Sequence, residues 1–175
     1  MIYNNKHVVF EQVGTEYSGI TWNLQNNTDG DGCLNNYEIS NVRNVILNQT
    51  IIGYLSNDLT SELVSTTVQT AKNGKSSILV STTDKLFIPA SKEVGYTTYS
   101  ISAENNVLTT WQYWTTHSTS TDHIKKDFYS QVRYWWLRSP YNNSSGSVIY
   151  INGNGDASYD SAKTNYQRIS SCFAW

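Results

Sequence analysis

Residues 134–137 read Tyr-Trp-Trp-Leu. Four large apolar side chains in succession need a packed interior, since an aromatic ring buries roughly 150–250 Å² on leaving water. With Trp111, Tyr113 and Trp114 they hold most of the apolar mass of the second half of the chain. Rings have to carry the core, because the chain is only 38% hydrophobic yet 13% aromatic. Its 175 residues suit one compact domain, 1–175. Charged residues make up 15%, the net charge is −2, and about a third of the chain is Asn, Ser or Thr. A disordered chain would pair few aromatics with high net charge, so disorder is excluded. Without a Lys/Arg run to meet phosphates, no nucleic-acid partner is expected. No apolar stretch is long enough to span a bilayer, so no membrane insertion is expected. The opening MIYNNKHVVFEQ has neither the basic start nor the apolar core of a signal peptide.

The spacing predicts an α+β protein, helices early and a mainly antiparallel sheet late. Short strands are expected at His7–Val13 and Gly19–Leu24. A helix follows from about Ser40, its N-cap, with Val42, Val45, Ile46 and Ile52 on one stripe. A second helix, Asp58–Val64, is capped by Asn57 and turns Leu59, Leu63 and Val64 inward. Asn73-Gly74 marks a turn in a Thr-rich stretch. Asp84–Ile88 reads as a strand closed by Pro89, and Thr97–Val107 as a polar loop. Four late strands are expected: Tyr134–Ser139, Ser147–Ile151, Asp156–Tyr159 and Arg168–Phe173. Between the middle two, Asn152-Gly153-Asn154-Gly155 supplies the positive-φ residues of a tight hairpin turn.

Four pieces of sequence occur in an order that resembles a known family. They are Cys33-Leu34-Asn35-Asn36-Tyr37-Glu38-Ile39-Ser40, then Thr83-Asp84-Lys85-Leu86-Phe87-Ile88-Pro89 with Ser91-Lys92-Glu93-Val94, then Tyr134-Trp135-Trp136-Leu137-Arg138-Ser139-Pro140, and finally Tyr150-Ile151-Asn152-Gly153-Asn154-Gly155. Together they resemble a WWLRSP-containing bacterial and phage family with the C-type-lectin fold, in the branch that includes formylglycine-generating enzymes. Many of its members are variable proteins of diversity-generating retroelements. The resemblance implies a C-type-lectin-like fold whose C-terminal segment is rewritten by adenine-directed mutagenesis and displayed as a ligand-binding surface on a cell or virion. The C-terminal strand departs from the family's usual Val-Arg-Pro, reading Arg168-Ile169-Ser170-Ser171-Cys172-Phe173.

Residues 141–165 contain Tyr, Asn, Ser, Gly, Asp, Thr, Ala, Val and Ile with the single Lys163, and no Leu, Met, Phe, Trp, Glu, Gln, Arg or His. Substituting the adenines of Asn codons yields each of these types except Lys, as the resemblance implies. Turn-rich hairpins favour Asn, Gly and Ser in any case. Such a mixture suits binding: Tyr gives rigid contact area at low entropy cost, while Ser, Gly and Asn adapt their hydrogen bonds. The expected surface comprises Tyr141, Asn142, Asn143, Ser145, Tyr150, Asn152, Asn154, Asp156, Ser158, Tyr159, Asp160, Ser161, Asn165 and Tyr166. Tyr150 is the member with the strongest claim to be a core residue instead. Trp135, Trp136 and Leu137 are expected to be scaffold, and Arg138 to reach a buried carbonyl or carboxylate. The partner is expected to be a macromolecule, protein or glycan. The alternative is an assembly module of a phage tail or bacterial surface protein.

Other chemistries have less support. Asn27, Asp29, Asp31 and Glu38 have EF-hand spacing with Gly32 at the sixth position, but Asn stands first and a strand precedes; a bare turn is the simpler account, calcium the alternative. His7, His117 and His123 lack zinc spacing, and Asp122-His123 adjacency makes no triad. Cys33 and Cys172 read as two separate thiols, with a disulfide as the alternative. The cysteine and copper chemistry of formylglycine-generating relatives is not carried over. Asp156 and Asp160 would share a strand face about 13 Å apart, too far for a glycosidase pair. No enzyme activity and no cofactor are expected.

Overall fold

The computed structural model describes Val9–Phe10 and residues 19–24, 34–127 and 129–174. Its centre is a five-stranded sheet in the order β1 (Val9–Phe10), β9 (Arg168–Ser170), β6 (Trp135–Pro140), β7 (Ser147–Ile151) and β8 (Ala157–Ser161). β6 and β9 run parallel and the other neighbours antiparallel. Two hairpins flank it, β2 (Thr66–Ala71) with β3 (Leu79–Asp84), and β4 (Lys125–Lys126) with β5 (Val132–Arg133). The protein is α+β.

Both faces of the sheet are buried. Trp136, Val148 and Ile169 pack with Trp22, Tyr37, Val42, Leu47 and Ile51 on one side. Trp135, Leu137, Ile149 and Ile151 pack with Val94 and Trp114 on the other. Alternation along a strand sends successive side chains to opposite faces, so Trp135 and Trp136 each anchor a separate core. Both indoles also donate hydrogen bonds, Trp135 Nε1 to His123 O (3.0 Å) and Trp136 Nε1 to Ile20 O (2.7 Å).

Several local expectations are corrected. The first helix, Val42–Ile51, is wound in the wide π form and runs straight into the turn Ile52–Tyr54. Hydrogen bonds to the fifth residue shift the inward stripe to Val42, Leu47 and Ile51, leaving Val45 40% exposed. Ser40 does cap it, its Oγ accepting from the Arg43 N–H at 3.1 Å. The second helix is Asn57–Glu62 with Ser56 as cap, and only Leu63 of the expected trio is buried. Gly19–Leu24 is not a strand. Its amides bond singly to other segments, Ile20 to Gln167 O and Asn23 to Ala162 O. The Thr-rich stretch is the hairpin strand β2, and the strand expected over Asp84–Ile88 ends where it was to begin, with Phe87 alone bridging to Cys172. Within the expected loop at 97–107, Ser102–Val107 is helical and buries Glu104. β6, β7 and β8 fall within two residues of expectation, and β9 is shorter. Of His7–Val13, only Val9–Phe10 lies among the described residues.

Candidate functional site

β8 closes one edge of the sheet, and a cluster of tyrosines stands beside its middle residue, Tyr159. The register sets Tyr159 opposite Ile149, hence on the face of the second core. Tyr141, leaving β6, stacks flat on Tyr159 with ring centroids 3.7 Å apart and 3° between planes. Tyr99 meets both edge-on, at 5.2 Å from Tyr159 and 6.0 Å from Tyr141. Tyr99 and Tyr159 are 39% and 43% exposed. The hydrogen bond to the Tyr159 hydroxyl holds the Tyr141 phenol above the ordinary tyrosine range.

Tyr99 was missed by sequence reasoning. It lies 42 positions before Tyr141 in a segment that reads only as polar loop, and its Thr-Thr-Tyr-Ser composition is the single hint. Its φ of 71° is unusual for a bulky residue. Such backbone costs about 1–3 kcal/mol and persists only where the surroundings fix it. Here its carbonyl accepts from the Asn142 N–H at 2.8 Å.

The loop at 141–146 is held from below as well. Buried Asn35 donates through Nδ2 to Ser144 O (2.8 Å) and Ser147 O (2.7 Å), and its N–H donates to Ser145 O at 3.0 Å. Asn143, at φ 67°, donates its N–H to Gly74 O at 2.7 Å. Gly74 is required there: a Cβ would sit 1.9 Å from the carbonyl oxygens of Ser144 and Tyr141. A loop fixed in this way presents side chains with little ordering entropy left to lose on binding.

The expected site residues fall into distinct places. Tyr141, Asn142, Asn143 and Tyr159 gather away from the turn of the β7–β8 hairpin, with Tyr99. Asn152, Asn154 and Asp156 sit at the turn end, Asp156 three residues and so about 10 Å of strand rise from mid-strand Tyr159. There the Asn152 Oδ1 accepts from the N–H groups of Asn154 and Asp156 (2.8 and 3.0 Å), and Asp156 accepts from the Ser120 hydroxyl at 2.6 Å. Ser158 and Tyr159 point to opposite faces of β8. Ser145 is buried. Tyr150 packs against the first core, edge-on to Trp136 at 5.9 Å and stacked with exposed Tyr134 at 5.7 Å. Asp160 organises the loop after β8, accepting from the Ser161 N–H (2.7 Å), the Thr164 hydroxyl (3.0 Å) and Gln167 Nε2 (3.2 Å). Ser161 is half-buried, while Asn165 and Tyr166 are exposed on that loop, Tyr166 by 74%.

Of the expected EF-hand ligands, Asn27, Asp29 and Asp31 lie outside the described residues, as does Cys33. Glu38 is exposed on a short 3₁₀ turn. Cys172 is a free thiol whose pKa burial pushes up to about 12. Among the described residues no three His, Cys, Asp or Glu side chains gather as a metal site. His123 is buried with its ring nitrogens 2.9 and 2.7 Å from the carbonyl oxygens of Thr119 and Val94, and Asp122 accepts from the Thr119 N–H and hydroxyl. No described helix is long and apolar enough to cross a membrane.

The fold and site define an α+β protein carrying an aromatic cluster on the edge of a doubly covered sheet. The family model for a domain of unknown function, DUF6273, matches residues 16–173, so the chain belongs to that family. No curated protein and no solved structure matches it.

Proposed function

We propose that this protein is a non-enzymatic ligand-binding module with a C-type-lectin-like fold. Its C-terminal segment is the recognition surface, diversified in the manner of retroelement variable proteins, and its partner is a protein or glycan on a cell or virion. The observation that carries the reading is the Tyr99–Tyr141–Tyr159 cluster, three rings held in fixed contact on a pinned loop and a sheet edge. Rigid tyrosines bordered by exposed Asn142 and Asn143 have the physical character of a paratope. Both tryptophans of the WWLRSP run are turned inward, which leaves the display to the segment that follows.

Binding of the labelled protein to a panel of bacterial cells and to a glycan array tests this. At least one target should bind, and Tyr159→Ala should weaken that binding about tenfold, the effect of a central aromatic contact. Its Tm should fall only by about 2–4 °C, since the two ring contacts it loses belong to a half-exposed side chain and together are worth about 1 kcal/mol. An inert surface across the panel, with Tyr159→Ala unfolding the chain, would instead favour an assembly role.

A further inference from the structure

In an antiparallel ladder, residue pairs alternate between those that exchange both main-chain hydrogen bonds and those that exchange none. The Asn152 N–H donates to Asp156 O (2.9 Å) and the Ala162 N–H to Gly146 O (2.8 Å), which fixes the phase of the β7–β8 ladder between them. The bonded pairs are therefore Tyr150 with Ser158 and Val148 with Asp160. It follows that Ala157, Tyr159 and Ser161 turn their N–H and C=O groups away from β7, towards the open edge. Ser161 is already closed: its N–H donates to Asp160 Oδ1 at 2.7 Å and its carbonyl accepts from the Thr164 N–H at 2.9 Å. Ala157 and Tyr159 remain. Their main-chain groups have no partner among the described residues, and β1 lies at the opposite edge of the sheet.

The flanking side chains say what can fill this edge. Asp156 and Asp160 stand on one face of the strand either side of Ser158, and among the described residues neither has a cationic partner. A second copy pairing antiparallel about Ser158 would set Asp156 of one chain opposite Asp160 of the other, twice over. Like charges directly opposite destabilise a sheet. A pairing centred on Tyr159 would instead set Ala157 against the closed Ser161. One centred on Ala157 would set Tyr159 against Gly155, whose N–H and carbonyl are taken by Asn152 O and the Tyr96 hydroxyl. Self-association is thus opposed in all three registers, whereas a strand with basic residues at i and i+4 meets both carboxylates.

We propose that the β8 edge receives an extended peptide segment of a partner protein, which pairs with Ala157 and Tyr159 and places basic side chains opposite Asp156 and Asp160. This rests on the reading of the C-terminal segment as a recognition surface and adds the class of partner, a protein strand rather than a glycan. The main chain supplies pairing, the carboxylates supply selectivity, and the Tyr159 ring packs over the peptide residue beside it.

The test uses the whole chain and two capped peptides, Thr-Lys-Val-Ser-Val-Lys-Thr and its counterpart with Glu for both Lys. The lysine peptide should bind about tenfold more tightly than the glutamate peptide. It should also slow hydrogen exchange at the amides of Ala157 and Tyr159, while N-methylation of its two Val should abolish binding. Ala157→Pro, which removes an outward N–H at a position where an edge strand tolerates proline, should weaken the lysine peptide about tenfold with little change in Tm. Equal binding of the two peptides, no exchange protection at these amides, or protection that grows with protein concentration alone would overturn the inference. If the edge peptides fail while Tyr159→Ala still weakens a target found on cells, the recognition surface stands and only the strand-pairing partner falls.

Discussion

Arg138 is fully buried, and its guanidinium is satisfied from three directions: bidentate to Glu93 at 2.7 and 2.5 Å, to Ile88 O at 2.8 Å, and to Thr70 Oγ1 at 3.1 Å. It ties the middle of the WWLRSP strand to the segment that precedes it by 45 residues. The need for such a partner was legible from an arginine amid tryptophans, but its identity was not, because nothing in the sequence pairs residues so far apart. Nearby Glu104 is also buried, accepting from the Ala71 N–H at 2.8 Å. Burial holds its carboxyl above the ordinary 4.5. The folded state therefore keeps this proton at pH values where the unfolded chain has released it, and stability from this group falls as pH rises from 4.5 through the raised folded value. Urea unfolding of Glu104→Gln should show a shallower loss of stability than the wild type between about pH 4 and pH 7. An equal slope in the two proteins would remove Glu104 from the account.

The β7–β8 hairpin is the element that sequence reasoning read best. Asn-Gly-Asn-Gly flanked by apolar alternation fixes turn and register together. Gly155 shows why: its φ is 86°, a Cβ there would lie 1.6 Å from the Ser120 carbonyl oxygen, and its own carbonyl accepts from the Tyr96 hydroxyl at 2.5 Å. Gly153 has an ordinary φ, and its Cβ would meet the flexible Tyr134 ring at 3.0 Å. Gly155→Ala should therefore cost about 2 kcal/mol or more in chemical unfolding, and Gly153→Ala clearly less. Equal costs would mean that the turn is not seated as described. The π-wound helix was misread for a definite reason: a 3.6-residue template selects Val45, whereas wider winding buries Leu47. The β2 strand escaped notice because Thr-rich hairpins lack the apolar alternation that marks a half-buried strand.

Across the whole molecule, a sheet covered on both faces supports a rim of tyrosine, asparagine and serine. The scaffold was legible because aromatic mass concentrates in one run of sequence. The rim's geometry was not, since it depends on Tyr99, Asn35 and Gly74, each brought from a distant segment to hold the loop at 141–146. Nor did the sequence reveal that the expected contact residues divide between the turn of a hairpin and the strand and loops beyond it, with Ser158 and Tyr159 on opposite faces. This rim should vary without loss of the fold. Protease-resistance selection of two displayed libraries tests this directly, one randomised at Asn142, Ser158, Tyr159, Asn165 and Tyr166, the other at Trp135, Trp136, Ile149 and Ile151. Most members of the first library should remain folded and few of the second, because truncating a buried Trp or Ile costs about 2–5 kcal/mol while exposed positions cost far less. Comparable survival of the two libraries would contradict the division between scaffold and surface.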